Sequence, residues 1–189
     1  WQSALQFLRA MPVVKILPDV VSFSSLLRAC EKGGCWRLAL SVLHIMPQVS
    51  VLPNVVTYGC AVNACEFSGA WESALALLTE MIVRTIEPNG VIFNTVVSSC
   101  EKACQWQTAL SLLSDMPSLK VQPDLITTNA VLTACGDAGV WPLALQLLAT
   151  VGAGDRTNVS FAGAIASCTS KSQWAWGLHL LLSMSALSV

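Results

Sequence analysis

The chain has 189 residues, 54% of them hydrophobic and 11% charged, with a net charge of −1. That is too apolar for a disordered chain, and the near-neutral balance excludes a global electrostatic grip on nucleic acid or an acidic membrane. No uninterrupted run of about 18 apolar residues occurs, so no membrane span is expected.

Periodicity sets the architecture. Trp1, Trp36, Trp71, Trp106 and Trp141 are spaced by 35 residues, and Trp174 follows two residues early. Cys30, Cys65, Cys100 and Cys135 keep the same period, with Cys168 again two early; so do Pro18, Pro53, Pro88 and Pro123. Such self-similarity marks a tandem repeat, a quasi-one-dimensional body whose units contact their neighbours.

In chain order, residues 1–19 form the second helix (1–11) and loop of a leading unit. Full units follow at 20–54, 55–89, 90–124 and 125–157, and a truncated unit at 158–189. In the first full unit Phe23, Leu26, Leu27 and Cys30 follow helical spacing, with Ser22, or Thr57 in the next unit, placed in the N-cap region. Gly34, Gly69 and Gly139 suit the left-handed conformation that ends a helix. The second helix carries the stripe Trp36, Ala39, Leu40, Leu43, Met46, repeated from Trp71 and Trp106. Pro47 and Pro117 are expected to stop it. Each helix pair has more apolar surface than it can bury alone, so the fold class is all-α: an α-solenoid of stacked helix-turn-helix units.

The 35-residue helix pair, its Pro-Asp or Pro-Asn closure, and strings such as Pro53-Asn54-Val55-Val56-Thr57-Tyr58 and Gly90-Val91-Ile92-Phe93-Asn94-Thr95 resemble the pentatricopeptide repeat (PPR) family. The resemblance covers nearly the whole chain. It implies a right-handed superhelix that binds single-stranded RNA, one base per unit, as part of a longer array. The implied setting is a chloroplast or mitochondrion and the implied role RNA processing, editing or stability. No cofactor and no membrane partner are implied.

Carried over residue by residue, the base-reading pairs are Ser24 with Asn54, Gly59 with Asn89, Asn94 with Asp124, and Asn129 with Thr157. The aliphatic residues that would sandwich the bases are Val21, Val56, Val91, Ile126 and Val159. Lys32 and Lys102 match the family's phosphate contacts, whereas Phe67 and Asp137 stand at the equivalent positions of the other units. By the family's code the first unit reads adenine, the third uracil, and the fourth leans to a pyrimidine. The second, with Gly59, discriminates poorly. The link from Trp141 to Trp174 is two residues short, holds Gly152, Ala153 and Gly154, and replaces Pro-Asp by Arg156-Thr157. Thr157 therefore need not reach the groove as Asn54 does, and Thr128 stands where other units have an aromatic.

Other readings carry less. Pro-Asp and Pro-Asn are also ordinary turn chemistry. The cysteines lack zinc-site spacing and fit small buried residues at helix contacts. The tryptophans head the second-helix stripes and fit packing, with Trp176, out of register, the candidate for an exposed role. His44 and His179 have no motif partner, and no phosphate loop or carboxylate pair supports an enzyme. The different-class alternative is a protein-interaction scaffold whose groove holds an extended peptide or partner helix. The last helix presents Trp174, Leu178, Leu181, Leu182 and Met184, which predicts an exposed apolar patch and association of the isolated segment.

Overall fold

A computed structural model describes residues 1–10, 17–152, 157–169 and 173–187, with side chains for 1–6, 17–152, 157–168 and 173–184. The described residues form eleven α-helices and no strand: α1 (Gln2–Ala10), α2 (Val20–Lys32), α3 (Trp36–Ile45), α4 (Val55–Phe67), α5 (Trp71–Val83), α6 (Gly90–Lys102), α7 (Trp106–Asp115), α8 (Leu125–Ala138), α9 (Trp141–Thr150), α10 (Asn158–Thr169) and α11 (Trp174–Leu187). The chain divides into two compact halves, Trp1–Ser99 and Cys100–Val189. In the first half α2 packs on α1, α3 and α4, and α4 also packs on α3 and α5. In the second, α8 packs on α7, α9 and α10, and α10 also packs on α9 and α11.

Each hairpin closes by the same backbone bond. Past the end of the first helix the chain turns through a left-handed residue, Gly34, Gly69 or Gly139, with φ of 61, 68 and 68°. Cys104 holds the same place in the third repeat at φ 56°, a conformation costly for a residue with a Cβ. The turn brings the next amide back to the periodic cysteine: Cys35 N donates to Cys30 O at 2.9 Å, Ala70 N to Cys65 O at 2.9 Å, and Val140 N to Cys135 O at 3.0 Å. A side chain at that closure must be small and apolar. Cys30, Cys65, Cys100, Cys135 and Cys168 are all fully buried. Burial pushes the Cys65 thiol up to about 11 and raises those of Cys30, Cys135 and Cys168.

Two helix ends differ from the sequence expectation. The prolines do not end the helical path. Pro47 and Pro117 enter short 3-10 turns, Met46–Val49 and Met116–Leu119, which close at Ser50 and Lys120 in the left-handed region. Early in such a turn a proline's missing amide N–H costs nothing. Where the second repeat has Ile82 instead, α5 stays α-helical to Val83, three residues past the equivalent end of α3. The N-caps also lie elsewhere. Asp19, Asn54 and Asp124 are the caps, and Ser22 and Thr57 sit three residues inside.

The first-helix stripe forms the core: Phe23, Leu26, Leu27 and Cys30 are buried, as are Tyr58, Phe93 and Phe161 at the aromatic position. Ala39, Leu43 and Met46 of the second-helix stripe are buried too. The tryptophans are less so. Trp36, Trp71, Trp106 and Trp141 are half-buried, and Trp174 is the most exposed, at 70%. Trp176, the candidate for an exposed role, is 47% exposed and stacks on Trp141 with centroids 6.5 Å apart. Beside them Leu178, Leu181 and Leu182 are exposed and Met184 half-buried, so α11 carries an apolar face.

Candidate functional site

The residues expected to read bases lie at, or one turn after, the start of each first helix. A helix leaves its first amides without partners, and a short polar side chain just before it can accept from them. Asn54 does so at α4: its Oδ1 accepts from Val56 N and Thr57 N, each at 3.0 Å. Thr57 completes a capping box, its Oγ1 accepting from Asn54 N at 2.8 Å. Asn89 Oδ1 accepts from Ile92 N at 3.0 Å. Asp19 Oδ1 accepts from Ser22 N at 2.8 Å and Ser22 Oγ at 2.7 Å, bonds that lower its pKa. Asp124 Oδ1 accepts from Thr127 N at 2.8 Å.

Capping also fixes which way an amide faces. Only the oxygen of Asn54 can accept from backbone N–H, so its Nδ2 points away from the helix end. Asn54 is exposed there.

One helical turn into α2, Ser24 is half-buried and its Oγ donates to Val20 O at 2.7 Å. That bond spends the hydroxyl proton and leaves lone pairs outward. Val21 and Val56 stand at the second position of α2 and α4, 69% and 50% exposed. Val91, Ile126 and Val159 at the same position of α6, α8 and α10 are 67%, 66% and 54% exposed. A single exposed aliphatic residue is unremarkable; one at the same helical position in five repeats is a pattern that core packing does not explain.

In the first half these side chains meet. A cleft of about 350 Å3 is lined by Val20, Val21, Ser24, Ser25, Arg28, Asn54 and Val56. Its size lies at the low end of the roughly 300–1,000 Å3 typical of ligand clefts. The expected pair Ser24 and Asn54 therefore shares one cleft with both expected aliphatic walls. Arg28 was not singled out from the sequence. It lies four residues after Ser24, on the same helical face, and that spacing was the available signal.

The other positions differ. Gly59 is half-buried, and a Cβ there would meet only Ile92 Cγ1 at 4.0 Å, so space exists for a side chain that the sequence does not supply. Asn94 is half-buried on α6 and Asp124 is exposed at the start of α8. Lys32 and Lys102 are exposed in the last turns of α2 and α6. Asp137 and Phe67, at the equivalent places, are also exposed, so two of these four positions carry no cation.

Thr157 meets its expected partner: Asn129 Nδ2 donates to Thr157 Oγ1 at 3.4 Å. It also accepts from Ser160 N at 3.3 Å at the start of α10. Ala153 and Arg156 of the shortened link, and Gly154 between them, lie outside the described residues.

A polar ladder ties the first helices of the first half. Asn63 Nδ2 donates to Glu31 Oε1 at 3.1 Å, and Thr95 Oγ1 donates to Asn63 Oδ1 at 3.2 Å. It sets α2, α4 and α6 in register beside the cleft.

Comparison with known proteins now decides the family. The model of the PPR repeat family matches residues 18–66 and 88–137, and that of the PPR repeat matches residues 56–86. The chain belongs to the pentatricopeptide repeat family. Among solved structures it is similar to the maize pentatricopeptide repeat protein PPR10, with a TM-score of 0.75 and 22% identity over 99% of this chain and 27% of that one. PPR10 in complex with an 18-nt psaJ RNA element aligns at TM-score 0.63 and 22% identity, over 89% of this chain and 28% of that chain. The PPR domain of Arabidopsis thaliana protein-only RNase P 1, solved in complex with tRNA, aligns at TM-score 0.74 and 16% identity, over 90% of this chain and 91% of that one. This PPR chain thus spans about a quarter of the length of PPR10. No curated protein sequence matches it.

Proposed function

We propose that this PPR chain binds single-stranded RNA, with each repeat offered one base, and that the first repeat selects adenine. The observation that carries this reading is the cleft between Val21 and Val56. Two aliphatic walls accept the faces of a flat base. At its edge Ser24 offers lone pairs and Asn54 offers the protons of Nδ2. An acceptor beside a donor complements an amino group beside a ring-nitrogen acceptor, which adenine and cytosine present on their pairing edge and guanine and uracil do not. The short serine leaves room for the larger of the two. Arg28 at the same cleft and Lys32 on the same helix supply local positive charge that the net charge of the chain does not.

The carboxylate of Asp124 only accepts, so the third repeat favours a base whose edge donates, as uracil does. Replacing Asp124 by Asn moves that preference toward cytosine.

The test is binding of the whole chain to short RNAs in which the first base is varied. Adenine is expected to bind about tenfold tighter than uracil, the effect of roughly 1.4 kcal/mol of discrimination. Asn54→Asp keeps the cap, as Asp19 and Asp124 show, but exchanges a donor for an acceptor. It is expected to move the preference from adenine to guanine with little change in stability. Binding indifferent to the first base, or unaltered by Asn54→Asp, would overturn the assignment.

A further inference from the structure

We infer that Arg28 contacts phosphate, and that with Lys32 it forms a two-cation clamp anchoring the RNA strand at the first repeat. This rests on the RNA-binding reading above, in which the family resemblance assigns Lys32 but not Arg28.

Val21, Ser24, Arg28 and Lys32 follow one another along one face of α2, spaced by three and four residues. From the helix start, that face carries a wall of the cleft, the residue at the base edge, and then two cations one turn apart, roughly 6 Å along the axis. Arg28 lines the cleft itself. Its chemistry does not suit the base edge there. The amino group of adenine needs an acceptor, and a guanidinium has five donors and none. Those donors match a phosphate, which a guanidinium can hold through two parallel bonds.

The acid able to neutralise these cations is Glu31, which stands between them in the sequence. It is turned elsewhere. Its carboxylate accepts from Asn63 Nδ2 at 3.1 Å, and Asn63 Oδ1 accepts from Thr95 Oγ1 at 3.2 Å. Among the described residues neither Arg28 nor Lys32 forms an ion pair. Both are exposed. Arg28 also reaches toward α4. Burial first, and then Glu31, raise the pKa of the Cys60 thiol, and a hydrogen bond with Arg28 opposes them. One thiol leaves most of the guanidinium donors for another partner.

The pair of cations is particular to the first of the four full repeats. Asn63, Ser98 and Thr133 stand at the place of Arg28, and Phe67, Lys102 and Asp137 at that of Lys32. The strand is therefore held hardest beside the cleft that takes the first base.

The experiment measures binding of the whole chain to a short RNA beginning with adenine, at about 50 and about 200 mM salt. Arg28→Gln is expected to lose about tenfold at the lower salt and about fourfold at the higher, because the slope of log affinity against log salt falls by about 0.7 for one lost phosphate contact. Arg28→Lys should keep the slope, and both variants should keep the preference for adenine over uracil. A second arm replaces each phosphate in turn by an uncharged methylphosphonate. The linkage beside the first base should weaken the parent most and leave Arg28→Gln no weaker than before, since both changes remove one contact. An unchanged slope in Arg28→Gln overturns the proposal. So does an altered first-base preference, which would make Arg28 a base reader, or a first-linkage effect as large in Arg28→Gln as in the parent. The scan also decides without any variant: equal losses at every linkage of the parent overturn the clamp. A parent that reads the first base but shows none of these effects sinks this inference alone, and a parent that binds no RNA sinks the RNA-binding reading with it.

Discussion

The two halves use the same hairpin but join their first helices differently. Between α2 and α4 the contact includes side chains of some length, with Glu31 bonded to Asn63 at 3.1 Å, and an open cleft remains at the helix starts. Between α8 and α10 the residue equivalent to Glu31 is Gly136, and it faces Gly163 backbone to backbone. There Ser160 Oγ donates to Asn129 Oδ1 across the two helices at 2.6 Å. Small residues at a helix contact thus decide more than packing density. They set how closely adjacent first helices approach, and so how much space is left between them.

Matched glycine substitutions give the largest test of that comparison. Gly136→Ala places a Cβ against backbone that cannot yield and is expected to destabilise by about 1–3 kcal/mol. Gly59→Ala meets nothing closer than 4.0 Å, and in a helix interior it is expected to stabilise by roughly 0.5–1 kcal/mol. Urea denaturation of both variants checks the opposite signs. Equal effects would mean that the close approach of α8 and α10 is not what holds the second half.

The aromatic position offers a second contrast. Phe23 and Tyr58 are buried at 2% and 1%, whereas Thr128 lines a hollow of about 740 Å3 with Leu110, Leu113 and Leu147. Thr128→Phe is expected to fill part of it and stabilise the chain by about 0.5–2 kcal/mol. A lowered midpoint in the same denaturation assay would show that the hollow cannot take a ring.

Solution state should also separate the halves. The exposed leucines of α11 predict concentration-dependent association. Leu178→Glu combined with Leu182→Glu should leave stability nearly unchanged and shift sedimentation toward the monomer. A parent that stays monomeric at high concentration would remove the basis for this expectation.

The smallest effect concerns Tyr58, the single tyrosine of the chain. Burial first, and then the neighbouring Glu80, push its pKa up to about 12. Its folded pKa is raised, so the stability it contributes is full below the ordinary value of 10 and is lost as pH rises from 10 through about 12. Tyrosinate absorbance should appear near the upper value in the folded chain and near 10 in denaturant. Coincident titrations would place Tyr58 in water.

Much of the fold was legible because a repeat multiplies weak signals. One Cys30 or Leu26 says little, but the same spacing in successive units identifies a buried helical face. The caps were misplaced by three residues, onto Ser22 and Thr57. Both partners of a capping box are polar residues that favour helix starts, and only the backbone conformation distinguishes them. The tryptophans that head the second-helix stripes are half-buried, since a stripe's first residue sits at the helix end, where the neighbouring layer covers only part of it. Arg28 was overlooked because nothing in the repeat pattern marks it: Asn63, Ser98 and Thr133 stand at its equivalents.

By itself the sequence determined the helical hairpin, its period, and the side chains at the start of each first helix, because these depend on local spacing and cap chemistry. Tertiary structure decided which of those side chains are available. The proton of Ser24, the outward face of Asn54 and the engagement of Asn129 by Ser160 depend on hydrogen bonds, the last across a contact 31 residues apart in the chain. A repeat code names the residue in each place; the partner that residue has already taken is set by how closely the neighbouring helix approaches.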